Sequence, residues 1–150
     1  KCDRKGTYNG MGYIATEINR AITNNHLKSH LLPLVYVDDL RASIIKQYCT
    51  KNTTFIWEFF KDYVSYQNSN AWSLICNYVK DNECIMFFNK SDDKNAFLIP
   101  NGMELCKILE DSFGFEFYIT NQNHSYLLCF NHHDILYGSG EAKKWISEIE

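Results

Sequence analysis

The chain has 150 residues, enough for about one domain that buries a single core without disulfides or metal. Aromatic residues make up 15%, charged residues 22%, and the net charge is −3, a balance that excludes a disordered tail. It also argues against duplex nucleic acid, whose phosphates require a basic stripe, so no direct nucleic-acid contact is expected while a basic protein partner stays open.

Residues 1–12 are polar and glycine-rich and are expected to form a loop. Residues 13–25 bring Ile14, Ile18, Ala21 and Ile22 onto one face at helical spacing, with Asn24 and Asn25 as the stop. Residues 31–37 are an apolar run broken by Pro33, which predicts an extended segment at a sheet edge or packed loop. A helix capped by Asp38 or Asp39 should follow through Tyr48, on Leu40, Ile44, Ile45 and Tyr48. Phe55, Ile56, Phe59, Phe60, Tyr63 and Val64 make another helical stripe, capped by Thr53 or Thr54, although Phe55, Trp57 and Phe59 also fit a strand. Ser69 or Asn70 can then cap a helix carrying Ala71, Leu74, Ile75, Tyr78 and Val79.

The pattern changes in the second half. Residues 84–88 are apolar on both faces, the signature of a central strand, and residues 89–95 form a charged hairpin-like loop into a short antiparallel partner at 96–99. Asn101 and Glu104 have the spacing of a reciprocal cap for a helix over 103–113, with Gly114 as its stop. Phe115, Phe117 and Ile119 alternate with Glu116, Tyr118 and Thr120, predicting a strand with one face in the core. An Asn-rich turn at 121–124 leads to residues 125–130, apolar on both faces and so another central strand. A polar knot, Asn131-His132-His133-Asp134, precedes a last apolar run closed by Gly138, and a terminal helix buries Ala142, Trp145, Ile146 and Ile149. The expected fold is a single α+β domain with a helical N-terminal half and a mainly antiparallel sheet of about four or five strands.

Six cysteines stand singly with no C-x-x-C pair, several inside apolar runs, which favours reduced thiols in a cytoplasmic protein over a disulfide-bonded secreted domain. No apolar run approaches the roughly 18–20 residues of a membrane span and no signal-peptide pattern is read, so no membrane contact is expected.

The polar knot is the strongest functional candidate. In an extended segment its adjacent imidazoles point apart, and Asp134 can orient one of them. A metal-assisted hydrolase or nuclease would use His132, His133 and Asp134, with further ligands such as His124 or Cys129 converging. His26 and His30 have the i, i+4 spacing of a ligand pair, but no glutamate follows His26, so the metalloprotease pattern is absent; no metal and no cofactor is expected. No nucleophile elbow, phosphate-binding glycine loop or dinucleotide fingerprint occurs. The pairs Asp38-Asp39, Asp92-Asp93 and Glu110-Asp111 either solubilise the protein or build an acidic face for a basic partner. Trp57 and Tyr66 are of the residue types that anchor interfaces.

Residues 114–119 (GFEFYI) and 125–140 (SYLLCFNHHDILYGSG) resemble small bacterial immunity proteins of polymorphic and contact-dependent growth inhibition toxin systems. The resemblance runs from about Trp72 to the C-terminus and rests chiefly on the Asn-His-His-Asp-to-glycine stretch. It implies a cytoplasmic protein without catalytic activity that binds its cognate bacterial toxin domain, often a nuclease, and occludes or distorts its active site. The knot would then be a structural corner, with the acidic loops and exposed rings carrying the binding.

Overall fold

The structure, a computed structural model, describes residues 12–149; the loop expected over 1–12 therefore lies, apart from Gly12, outside the described residues. Its frame is one antiparallel sheet of seven strands: β1 (His30–Leu31), β2 (Val64–Gln67), β3 (Cys84–Phe87), β4 (Phe97–Ile99), β5 (Phe117–Thr120), β6 (Tyr126–Phe130) and β7 (Ile135–Gly140). They lie in the order β1-β4-β3-β5-β6-β7-β2. The helices are α1 (Tyr13–Asn24), α2 (Leu34–Tyr48), α3 (Trp72–Val79), α4 (Gly102–Glu110) and α5 (Ala142–Ser147). The fold is α+β, as the sequence pattern predicts.

Both sheet faces are covered. Met86, Phe117, Ile119, Leu128 and Phe130 pack beneath α1, α3, α4 and α5, whereas Ile85, Phe87, Tyr118, Leu127 and Cys129 pack beneath α2 and the segment that follows it. This explains the runs 84–87 and 126–130, in which every residue is buried. It also corrects β5: Tyr118 and Thr120, expected on a polar face, are fully buried because α2 and the loops beside it close that side.

The sheet has more strands than expected, and the extra two are its edges. Both come from the N-terminal half. β1 pairs with β4 and β2 with β7, so the helical half also closes the sheet. Residues 55–64 are not a helix: a single 3₁₀ turn (Ile56–Phe59) gives way to β2, because Ile56 and Phe60 reach the core beneath α2 while Val64 is drawn into the ladder. The segment expected to be extended over 31–37 is so only up to Pro33, which starts a helix. At φ −60° and ψ 140° this proline stands just before α2, placing Asp38 and Asp39 inside the helix instead of at its cap. Neither Ser69 nor Asn70 caps α3, and α4 ends at Glu110, short of the expected stop at Gly114.

Two carboxylates that read as surface groups prove to be latches. Asp93, 4% exposed, accepts a hydrogen bond from the Ala15 backbone at the start of α1 (2.9 Å), capping that helix across the fold. Its other oxygen accepts from the backbone and side chain of Asn95 (3.0 and 2.9 Å). The Asn101 side chain does cap α4 by accepting from the Glu104 backbone at 2.9 Å. Glu104 does not reciprocate. Its carboxylate, 6% exposed, accepts from the Lys28 backbone at 3.0 Å and from the backbone and hydroxyl of Ser29 at 2.9 and 2.7 Å, tying the α1–β1 connector to α4.

Burial by itself raises the Glu104 pKa, but the bonds from Ser29 and Lys28 outweigh it and hold the carboxyl below its ordinary value. A depressed folded pKa means that the stabilisation is present above the unfolded value of about 4.3 and is lost as pH falls through the folded one. Glu104→Ala is expected to cost about 2–4 kcal/mol in urea unfolding at pH 7. Glu104→Gln should cost less, and its deficit should shrink below about pH 4.3 as the native carboxylate is protonated.

Candidate functional site

The polar knot is the turn between β6 and β7. Buried Asn131 builds it: its side-chain oxygen accepts from the backbones of His133 (3.0 Å) and Ile135 (3.1 Å), while its own carbonyl accepts from Asp134 (3.1 Å). Asp134 takes φ 60°, a conformation that aspartate tolerates, and its carbonyl accepts from the Asn68 backbone at 3.0 Å. The turn is thereby fixed to the segment leading into α3.

Because the segment is turned and not extended, the two imidazoles do not point apart. Their ring centroids are 4.0 Å from one another, and both rings lie edge-on to Trp57, at 6.1 Å for His132 and 6.0 Å for His133. Trp57 stacks on Tyr137 at 5.7 Å, and Tyr137 meets Tyr63 at 5.3 Å and Phe60 at 5.8 Å. His132, His133 and Tyr63 are exposed, Trp57 and Tyr137 half-buried, so the result is a ring-lined patch at the protein surface. Glu116 lies at its edge, with an oxygen 3.4 Å from His132 Nδ1. Burial raises the Glu116 pKa, opposed by the neighbouring His132.

The patch stands on a rigid polar base. Fully buried Tyr118 donates its hydroxyl to the Asn89 side chain at 2.9 Å and accepts from the Trp57 backbone at 3.0 Å. The same Asn89 oxygen accepts from the Ile56 backbone at 3.1 Å. Tyr118 of β5 and Asn89 of the β3–β4 loop thus hold the 3₁₀ turn that presents Trp57, and burial drives the Tyr118 pKa far above its usual value, keeping the donor protonated.

The other sequence candidates are dispersed. Asp38 and Asp39 are exposed on α2, on the Trp57 side of the sheet, with Asp38 3.8 Å from buried Arg41. Asp92 is half-buried, and Asp93 is a buried helix cap, not a partner contact. Glu110 and Asp111 are exposed at the end of α4, on the opposite sheet face, where Glu110 accepts from the Cys106 thiol at 3.3 Å and Asp111 pairs with Arg20 at 3.5 Å. The three acidic pairs therefore do not make one acidic face. Tyr66 also packs on that opposite face, so it cannot share a surface with Trp57.

His124 and Cys129 do not join the paired imidazoles: the first lies before β6, the second is buried within it. His26 sits in the turn after α1 and His30 begins β1, so they share no helical face. Among the described residues no group of three or more His, Cys, Asp or Glu side chains is placed to hold a metal ion. Cys49, Cys76, Cys84, Cys106 and Cys129 are free; burial pushes the thiols of Cys49 and Cys84 up to about 11 and about 12, which makes them poor nucleophiles. No helix of the described residues is long and apolar enough to cross a membrane.

Glu116 and Tyr137 are the members of the patch that sequence reasoning missed. The available signal was the alternation in residues 135–137, which turns Leu136 to one core and Tyr137 to the other side.

Residues 14–150 match the model of a family described as a family of unknown function, DUF6756, and the chain belongs to that family. No curated protein and no solved structure matches it.

Tyr118→Phe leaves the Trp57 amide and the Asn89 oxygen short of a partner. It is expected to cost about 1–3 kcal/mol of stability and to speed hydrogen exchange at the Trp57 amide, measured by urea titration and by exchange NMR.

Proposed function

We propose that this DUF6756 member is an immunity-type inhibitor that binds a cognate bacterial toxin domain, a nuclease in the simplest case, as a stoichiometric protein complex in the cytoplasm. The observation that carries the reading is the Trp57–Tyr137–His132–His133 patch, a ring cluster with exposed imidazoles and half-buried Trp57 and Tyr137 on a fixed base. Preorganised aromatic side chains lose little conformational entropy on binding and supply most of the energy in interface hot spots. Asp38 and Asp39 lie on the same side of the sheet, while Asp134 in the turn itself and Glu116 at its edge are the carboxylates beside the rings. A basic substrate cleft is a complementary partner for such a surface. The resemblance of residues 114–140 to immunity proteins supports the same reading, and the free thiols suit a reducing compartment. Glu110, Asp111 and Tyr66, on the opposite face, are outside this contact.

The test is co-expression with the toxin domain encoded beside this gene, followed by co-elution and calorimetric titration of the purified pair. A one-to-one complex is expected that abolishes the toxin's activity. Trp57→Ala and His133→Ala should each weaken it about 30-fold or more, a hot-spot loss of about 2 kcal/mol. Unchanged affinity in both variants would move the contact elsewhere. Substrate turnover by the pure domain, lost in His133→Ala, would replace this reading with the hydrolase built on His132, His133 and Asp134.

A further inference from the structure

A second concave surface lies at the opposite end of β6 from the histidines, about 17 Å along the strand. The last turn of α3, the entry to β3, the β5–β6 turn and α5 enclose an open cleft of about 860 Å³. Its floor is aromatic. Trp145 and Tyr78 pack at 4.7 Å with their planes 40° apart, and Tyr126 stands edge-on to Tyr78 at 5.0 Å. Tyr126 is only 7% exposed and lines the cleft. A tyrosine hydroxyl that lines a cleft can donate to or accept from a ligand there.

The rim is made of amides. Asn77, Gln122 and Asn123 are exposed around the opening, each offering both a donor and an acceptor. Lys80 is outnumbered by Glu83 and Glu141, so the cleft does not favour a phosphate or another anion. Its lining is too polar for a lipid chain. Mixed donors and acceptors above aromatic faces match a neutral ring that carries hydroxyls on its edge and C–H groups on its face.

We propose that this cleft is a binding site for a neutral saccharide, with a pyranose laid against Trp145 and Tyr78 and its hydroxyls bonded to the rim amides and to the Tyr126 hydroxyl. The site is independent of the toxin-binding patch, from which β6 separates it. A nucleoside, which also stacks on aromatic rings, is the competing occupant.

The experiment is saturation-transfer NMR and calorimetric titration of the full chain with maltose, cellobiose, lactose and N,N′-diacetylchitobiose, and with adenosine as the comparison probe. Saturable binding of at least one disaccharide is expected, with transfer concentrated on the ring face. Gln122→Ala combined with Asn123→Ala, both at exposed turn positions, should weaken it about tenfold, equivalent to roughly 1.4 kcal/mol. Trp145→Ala should do the same if circular dichroism shows it folded. Binding of adenosine alone, saturation by none of the probes, or sugar affinity unaltered in the folded double variant would each overturn the proposal.

Discussion

A tyrosine hydroxyl buried in the middle of a two-sided sheet has to be satisfied by whatever covers the sheet, and in this protein that requirement positions the ring-lined patch. Tyr118 is fully enclosed on β5, and its hydroxyl is shared between the Asn89 side chain and the Trp57 backbone. An unsatisfied hydroxyl there would cost roughly 1–3 kcal/mol, so the covering loop is not free to choose its path. The 3₁₀ turn at Ile56–Phe59 is pinned, Trp57 projects outward from it, and Tyr137 on β7 rises to stack on the indole. The patch is thus an extension of core packing to the surface, which is why its rings are preorganised.

The same economy governs the carboxylates. Asp93 and Glu104 each accept backbone hydrogen bonds from segments more than 70 positions away, where their charge is met by N–H groups instead of a cation. Asp93 supplies the cap that α1, opening on Gly12, lacks in its own sequence. Glu104 fixes the connector that delivers β1 to the sheet edge. Such groups stabilise the fold and are lost to the surface, leaving Asp134 and Glu116 as the acidic groups beside the rings.

The β6 strand gives the molecule its polarity. Its first residue, Tyr126, floors the amide-rimmed cleft, and its last, Phe130, leads into the Asn131 turn that pairs the imidazoles. All five residues of the strand are buried, which makes it a stiff spacer between the two surfaces. Gly138 and Gly140 on the neighbouring strand serve this arrangement in different ways. A Cβ at Gly138 would stand 2.3 Å from the Ile146 side chain of α5, and Gly140 takes φ +63° within 2.5 Å of the Ser125 carbonyl for such a Cβ.

By itself the sequence determined the α+β class, the four inner strands β4-β3-β5-β6 and the course of α1, α3 and α4 within a few residues, because burial periodicity is a local signal that side-chain alternation records. It also singled out Asn131-His132-His133-Asp134 as a polar knot and Trp57 as a residue of the type that anchors interfaces. The edge strand β2 escaped, and β1 was legible only as an extended segment at a sheet edge, because each is short and draws its identity from one neighbour: Val64–Gln67 is a strand only because β7 offers it a ladder. Only the tertiary structure decided that His132 and His133 lie side by side, that Trp57 and Tyr66 face opposite ways, and that Asp93 is a helix cap. Those outcomes depend on contacts between residues distant in the chain, whose partners no local pattern names.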